Sequence, residues 1–133
     1  MFKRFALAAL AAASISAMVP TQAQTQTARY CDGRINANSF YSTVQSDGRR
    51  SVVSYFVMLQ STGDAIRYSV TFDARRQATP NVTEAQNGSP IGHLNNWDQV
   101  TITLGKQRFA NPGGEGQLSV SQIERYTTVT CPQ

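Results

Sequence analysis

The sequence predicts an all-β fold: one small antiparallel β-sandwich or barrel of about six to eight strands, with its termini joined by a disulfide. Three observations carry this. Runs rich in β-branched and aromatic residues recur between Gly, Pro, Asn and Asp clusters, with little of the 3.6-residue periodicity a helix needs. The two cysteines, Cys31 and Cys131, stand near the two ends of the β-rich region. That region has the length of one ordinary domain.

The first segment reads as an export signal. Lys3 and Arg4 form a positive n-region, residues 5–19 are an Ala-rich apolar run, and Thr21-Gln22-Ala23 places small residues at a cleavage site. The run falls short of the roughly 20 apolar residues a spanning helix requires, so no membrane span is expected after cleavage. A lipoprotein needs a cysteine directly after the cleavage point, and Cys31 lies beyond it. The expected organisation is a signal peptide over 1–23, a polar unpatterned leader over 24–29 and a single β domain over 30–133. Location is then periplasmic or secreted.

Charge excludes one class of partner. The whole chain carries 12 basic and 8 acidic residues. Two of the basic ones leave with the signal, so the mature excess is small and does not imply nucleic acid.

An exported chain meets an oxidising compartment, where two cysteines allow a single intramolecular pairing, Cys31 with Cys131. With no Cys-x-x-Cys spacing and one histidine, the pair reads as structural, not as a redox or metal centre.

Strands are expected in order along the domain. Residues 39–45 form the first, and Asp47-Gly48 supplies a tight turn to a second over 51–60. That second strand is apolar on both faces, with Val53, Tyr55, Val57 and Leu59 opposite Val52, Phe56 and Met58, which marks a central strand. After a turn at 61–64, residues 65–73 alternate cleanly, Ile66, Tyr68, Val70 and Phe72 against polar neighbours. These three runs are expected to form a meander. Residues 75–97 are rich in breakers and read as a long connection holding one short strand near Val82. Residues 98–109 return to β, and 111–116 form a turn. The last segment alternates through Leu118 and Val120, then changes phase to Ile123, Val129 and Cys131, which in a strand demands a bulge or corner.

Chemistry is sparse. His93, in Gly92-His93-Leu94-Asn95-Asn96-Trp97-Asp98, has Asp98 five residues on and a tryptophan nearby, so His93 and Trp97 are binding candidates and His93 is also a general-base candidate. No Gly-x-Ser-x-Gly elbow accompanies it, so catalysis is not the favoured reading and no catalytic residue is assigned. The carboxylates are scattered singly, without the spacing of a calcium loop, and no metal site or cofactor is expected. A meander brings the Asp47-Gly48 turn to the same edge as the end of the third strand, gathering Arg49, Arg50, Arg75 and Arg76 into a positive patch suited to carboxylate, phosphate or sulfate groups.

Tyr30-Cys31-Asp32-Gly33 together with a late cysteine resembles the ends of the periplasmic lysozyme-inhibitor barrels. The resemblance is confined to those ends. The Ser-Gly-x-x-Tyr stretch and the tryptophan followed by Lys-Gly of those inhibitors are not found, and no functional residue is carried across. The expected function is an exported, non-enzymatic binding module for a protein or an anionic glycan. The alternatives are a small envelope hydrolase centred on His93 and an envelope structural subunit that pairs through a strand edge.

Overall fold

The computed structural model describes residues 27–74 and 79–132. The expected signal peptide, the start of the leader, and Arg75 and Arg76 lie outside the described residues. The rest is a two-layer antiparallel β structure of eight strands and one short helix. The strands are β1 (Ala28–Tyr30), β2 (Ile35–Ser46), β3 (Ser51–Ser61), β4 (Ile66–Phe72), β5 (Val82–Thr83), β6 (Gly92–Leu94), β7 (Gln99–Phe109) and β8 (Thr127–Thr130), with α1 (Val120–Tyr126) before the last. One sheet has the order β1-β2-β3-β7-β5 and the other β6-β4-β8.

β3 is the central strand its two apolar faces predicted. Val53, Tyr55, Val57 and Leu59 are fully buried between the layers. On the outer face Phe56 stacks on Tyr41 of β2, ring centroids 5.0 Å apart, so cross-strand neighbours and not a second layer cover that side. The β2–β3 hairpin turns at Gly48, whose φ of 94° suits the first central position of a primed turn. Asp47 precedes it and accepts from the amides of Arg49 and Arg50 at 2.9 and 2.8 Å.

The expected meander is corrected at its third strand. β3 pairs with β7, and β4 pairs with β6 and β8 in the opposite sheet. The physical reason lies in what must cover β3. Side by side, β3 and β4 would turn their apolar rows to the same side and leave both open. Crossing to the other layer sets Ile66, Val70 and Phe72 against β3, and Phe72 packs its ring 5.9 Å from that of Tyr55. The corner is built by Ser61, whose hydroxyl donates to the Asp64 carbonyl at 2.5 Å and accepts from the Gly63 amide at 3.2 Å.

The phase change near the C-terminus is a helix, not a bulged strand. Ser119 accepts from the Gln122 amide at 3.2 Å, and the Gln122 side chain accepts from the Ser119 amide at 2.9 Å. This capping box satisfies two donors at the first turn of α1. Ile123 and Tyr126 then bury against the sandwich, and β8 continues at once. β1 also begins at Ala28, inside the stretch expected to be unpatterned leader, and pairs Ala28 with Ala37 of β2.

The disulfide joins Cys31, at the end of β1, to Cys131, just past β8, with Cα atoms 5.9 Å apart. It ties one sheet to the other across 100 residues of chain. Together with α1, which packs against β2, it closes one side of the sandwich. The other side is held differently. Gln86, in the connection between β5 and β6, gives its amide N–H to the Leu104 carbonyl of β7 at 2.9 Å and its side-chain Nε2 to the Thr103 carbonyl at 3.0 Å. Its own carbonyl accepts from the Phe72 amide of β4 at 2.8 Å. One residue thus stitches β7 to β4, and beyond it the two sheets separate.

Candidate functional site

The separation produces a cleft of about 350 Å³ between β6 and the first half of β7. Its floor is apolar, made by Tyr68 and Val70 of β4 and Ile102 of β7. Gly92 and Pro90 form one bank, and Thr101 and Thr103 the other, with Gln86 among the lining residues. No charged side chain lines it.

Strand register fixes the main-chain character of both banks. Thr103 faces the seam, because its carbonyl takes the Gln86 side chain. Thr101, two residues earlier on the same unbulged run, therefore faces it too. On β4 the Val70 carbonyl and the Phe72 amide bond to the 86–88 segment, which occupies the same flank as β6. The even residues of β4 thus aim their main chain at β6, making Ile66–Leu94 and Tyr68–Gly92 the bonded pairs. His93, between them, turns its N–H and C=O outward to the seam. Among the described residues, neither Thr101 nor His93 has a main-chain bond to a further strand.

Gly92 is required by the wall of this cleft. A Cβ on it would stand 2.3 Å from Cζ of Tyr68, so only a glycine lets the Tyr68 ring lie over β6. Burial of that ring holds the phenol above its ordinary pKa.

The strand that forms this bank is flanked in sequence by Ile91, 49% exposed, and Trp97, 65% exposed. These are the two exposed large hydrophobic side chains among the described residues. Neither lines the cleft itself. Trp97 sits in the β6–β7 turn with φ of 62°, the left-handed region that a bulky residue rarely adopts. The turn is held by the Asp98 amide on the Asn95 carbonyl at 3.1 Å and the Asn95 amide on the Asp98 carboxylate at 3.2 Å. It is tied to β3 by Ser61, whose amide bonds the Asp98 carbonyl at 2.9 Å, and by Gln60, whose side chain donates to the Trp97 carbonyl at 3.3 Å. An exposed indole is therefore kept in a costly conformation by a well-bonded frame.

The sequence-predicted residues fall in separate places. His93 belongs to β6 and is not a loop residue; its exposed imidazole has no hydrogen-bond partner among the described residues. Asp98, five residues on from His93, instead holds the turn at Asn95. Trp97 is brought to the same segment as His93. Arg49 and Arg50 are exposed at the β2–β3 turn. The meander that gathered them with Arg75 and Arg76 is replaced by β3–β7 and β4–β8 pairing, and the second arginine pair lies outside the described residues. Among the described residues no group of three or more His, Cys, Asp or Glu side chains is placed to hold a metal ion.

Sequence reasoning missed the cleft, Ile91 and the free edges of β6 and β7. β6 has three residues, too few for alternation to register, and it follows a run of breakers. The one signal available was Ile91, a lone large apolar residue in a polar segment. No helix among the described residues is long and apolar enough to cross a membrane. No protein-family model, curated protein or solved structure matches this chain.

Proposed function

We propose that this chain is a non-enzymatic binding module, exported to the periplasm or secreted, that takes a protein partner at the β6–β7 side of its sandwich. The observation that carries this reading is the position of Ile91 and Trp97. Two large apolar side chains stand in water on either side of one short strand, and one of them occupies a backbone conformation that costs free energy without improving the core. Aromatic side chains left exposed in a rigid frame are what a recognition surface requires. The closed loop from Cys31 to Cys131 and the N-terminal signal pattern support an oxidising destination.

A glycan partner bearing negative charge has less support at this site, since the cleft lining is uncharged. The test is a cross-linking pull-down from the native envelope fraction with the mature protein and with an Ile91→Ser/Trp97→Ala variant. Both side chains are solvent-exposed, so folding should persist. The variant should lose the captured protein; retention of the same partner at the same yield rejects the reading.

A further inference from the structure

We infer that the partner enters the β6–β7 cleft as an extended peptide segment, adding a strand that pairs with Thr101 on one side and His93 on the other. This rests on the binding reading above and specifies how the partner is held. Four observations carry it.

The first is hydrogen bonding. Each bank presents a main-chain N–H and C=O facing the seam with no strand partner among the described residues. A peptide strand is the ligand that supplies matching groups on both of its edges at once. The second is shape. The open run of β7 from Gln99 to Thr103 spans about 14 Å, room for four or five extended residues. It is bounded by the Gln86 stitch at one end and the Trp97 turn at the other.

The third is chemistry. The floor of Tyr68, Val70 and Ile102 accepts alternate apolar side chains from a strand above it, and an uncharged lining selects against acidic or basic residues at those inward positions. The fourth is topology. The seam beyond Gln86 is where the two sheets fail to meet, so one added strand joins β7 to β6 and makes a continuous run from β1 to β8. Ile91 and Trp97, just outside the bank, are then placed to grip residues of the partner that flank the inserted strand.

The probe is a displayed library of short linear peptides selected against the mature, oxidised protein. Peptides enriched over a Thr101→Pro variant should alternate apolar and polar residues and lack proline. Bound to the wild type, they should slow amide hydrogen exchange at both Thr101 and His93 by about tenfold or more. Thr101→Pro removes an N–H directed away from β3, so the β3–β7 ladder survives, and it should weaken binding about tenfold or more. Methylating alternate backbone nitrogens of the peptide should do the same with the protein unaltered.

Any of three peptide results overturns the inference: no peptide enriched over the variant, bound peptides that leave both amides exchanging freely, or binding indifferent to backbone methylation. Self-association abolished by Thr101→Pro would overturn it in favour of a second copy of this chain. If the envelope partner is lost with Ile91→Ser/Trp97→Ala yet retained by Thr101→Pro, the binding reading stands and strand insertion falls. If Ile91→Ser/Trp97→Ala retains it at the same yield, the binding reading itself falls.

Discussion

The Tyr68 ring lies so close over the backbone of Gly92 that a Cβ at that glycine would stand 2.3 Å from Cζ and 2.5 Å from the hydroxyl oxygen. The contact fixes one wall of the cleft and depends on a missing methyl group. Gly92→Ala must push Tyr68 off its site or separate β6 from β4. A cost of about 1–3 kcal/mol is expected, as for other overpacked positions. Urea unfolding should show a lower midpoint with unchanged slope. An unchanged midpoint would mean that the ring moves freely and forms no fixed wall.

The disulfide closes most of the domain into one loop, so its value is set by loop length. For a separation of 100 residues the chain-entropy estimate is about 4.7 kcal/mol. The Cys31→Ser/Cys131→Ser protein should lose roughly that much unfolding free energy, a large share of what a small domain possesses. Chemical denaturation of the two forms under the same conditions measures it. A loss below about 1 kcal/mol would show that α1 and the Gln86 stitch hold the layers without the covalent tie.

What the sequence disclosed follows the range of each signal. β3 was legible because eleven residues alternate against two different surroundings. The link from Cys31 to Cys131 was legible because two cysteines permit one bond. The layer occupied by β4 was not, because the four residues from Ser61 to Asp64 suit a hairpin and a sheet-crossing corner equally, and only the need to cover Val53, Tyr55, Val57 and Leu59 selects the corner. The helix was legible and overlooked: Ser119-Val120-Ser121-Gln122 is a capping box written in the sequence. The site divides the same way. Trp97 and His93 attract attention by residue type, but the cleft is made of main chain on strands distant in sequence, and main chain carries no sequence signature.

Tyr55 predicts an alkaline limit to stability. Its hydroxyl donates to Oε1 of buried Gln107 at 2.5 Å and accepts from the Leu118 amide at 3.0 Å, while Gln107 donates onward to the Pro80 carbonyl. Burial pushes the phenol up to about 12, and Tyr30 is pushed equally far by burial and the nearby Glu124 carboxylate. Both pKa values are raised on folding, so their stabilisation is complete below the unfolded value near 10 and is lost as pH climbs to about 12. Stability measured between pH 7 and 12 should be flat at first and then fall across that last interval. Tyr55→Phe should shrink the fall. At neutral pH it should cost about 1–3 kcal/mol, because the Leu118 amide and Gln107 lose a buried partner.

Trp97 offers the sharpest separation of stability from recognition. At φ of 62° its side chain strains a turn whose remaining bonds, at Asn95, Asp98, Ser61 and Gln60, all involve other side chains or the main chain. Glycine adopts that conformation without penalty, although it also gives the unfolded chain more freedom, and the indole forfeits little contact at 65% exposure. Trp97→Gly should therefore leave unfolding free energy unchanged or raise it by about 1 kcal/mol, while partner capture falls. A residue retained for packing would give the opposite pattern, with a lower melting temperature and undiminished capture. Paired thermal melts and pull-downs on this one variant decide between a strained recognition residue and an ordinary turn.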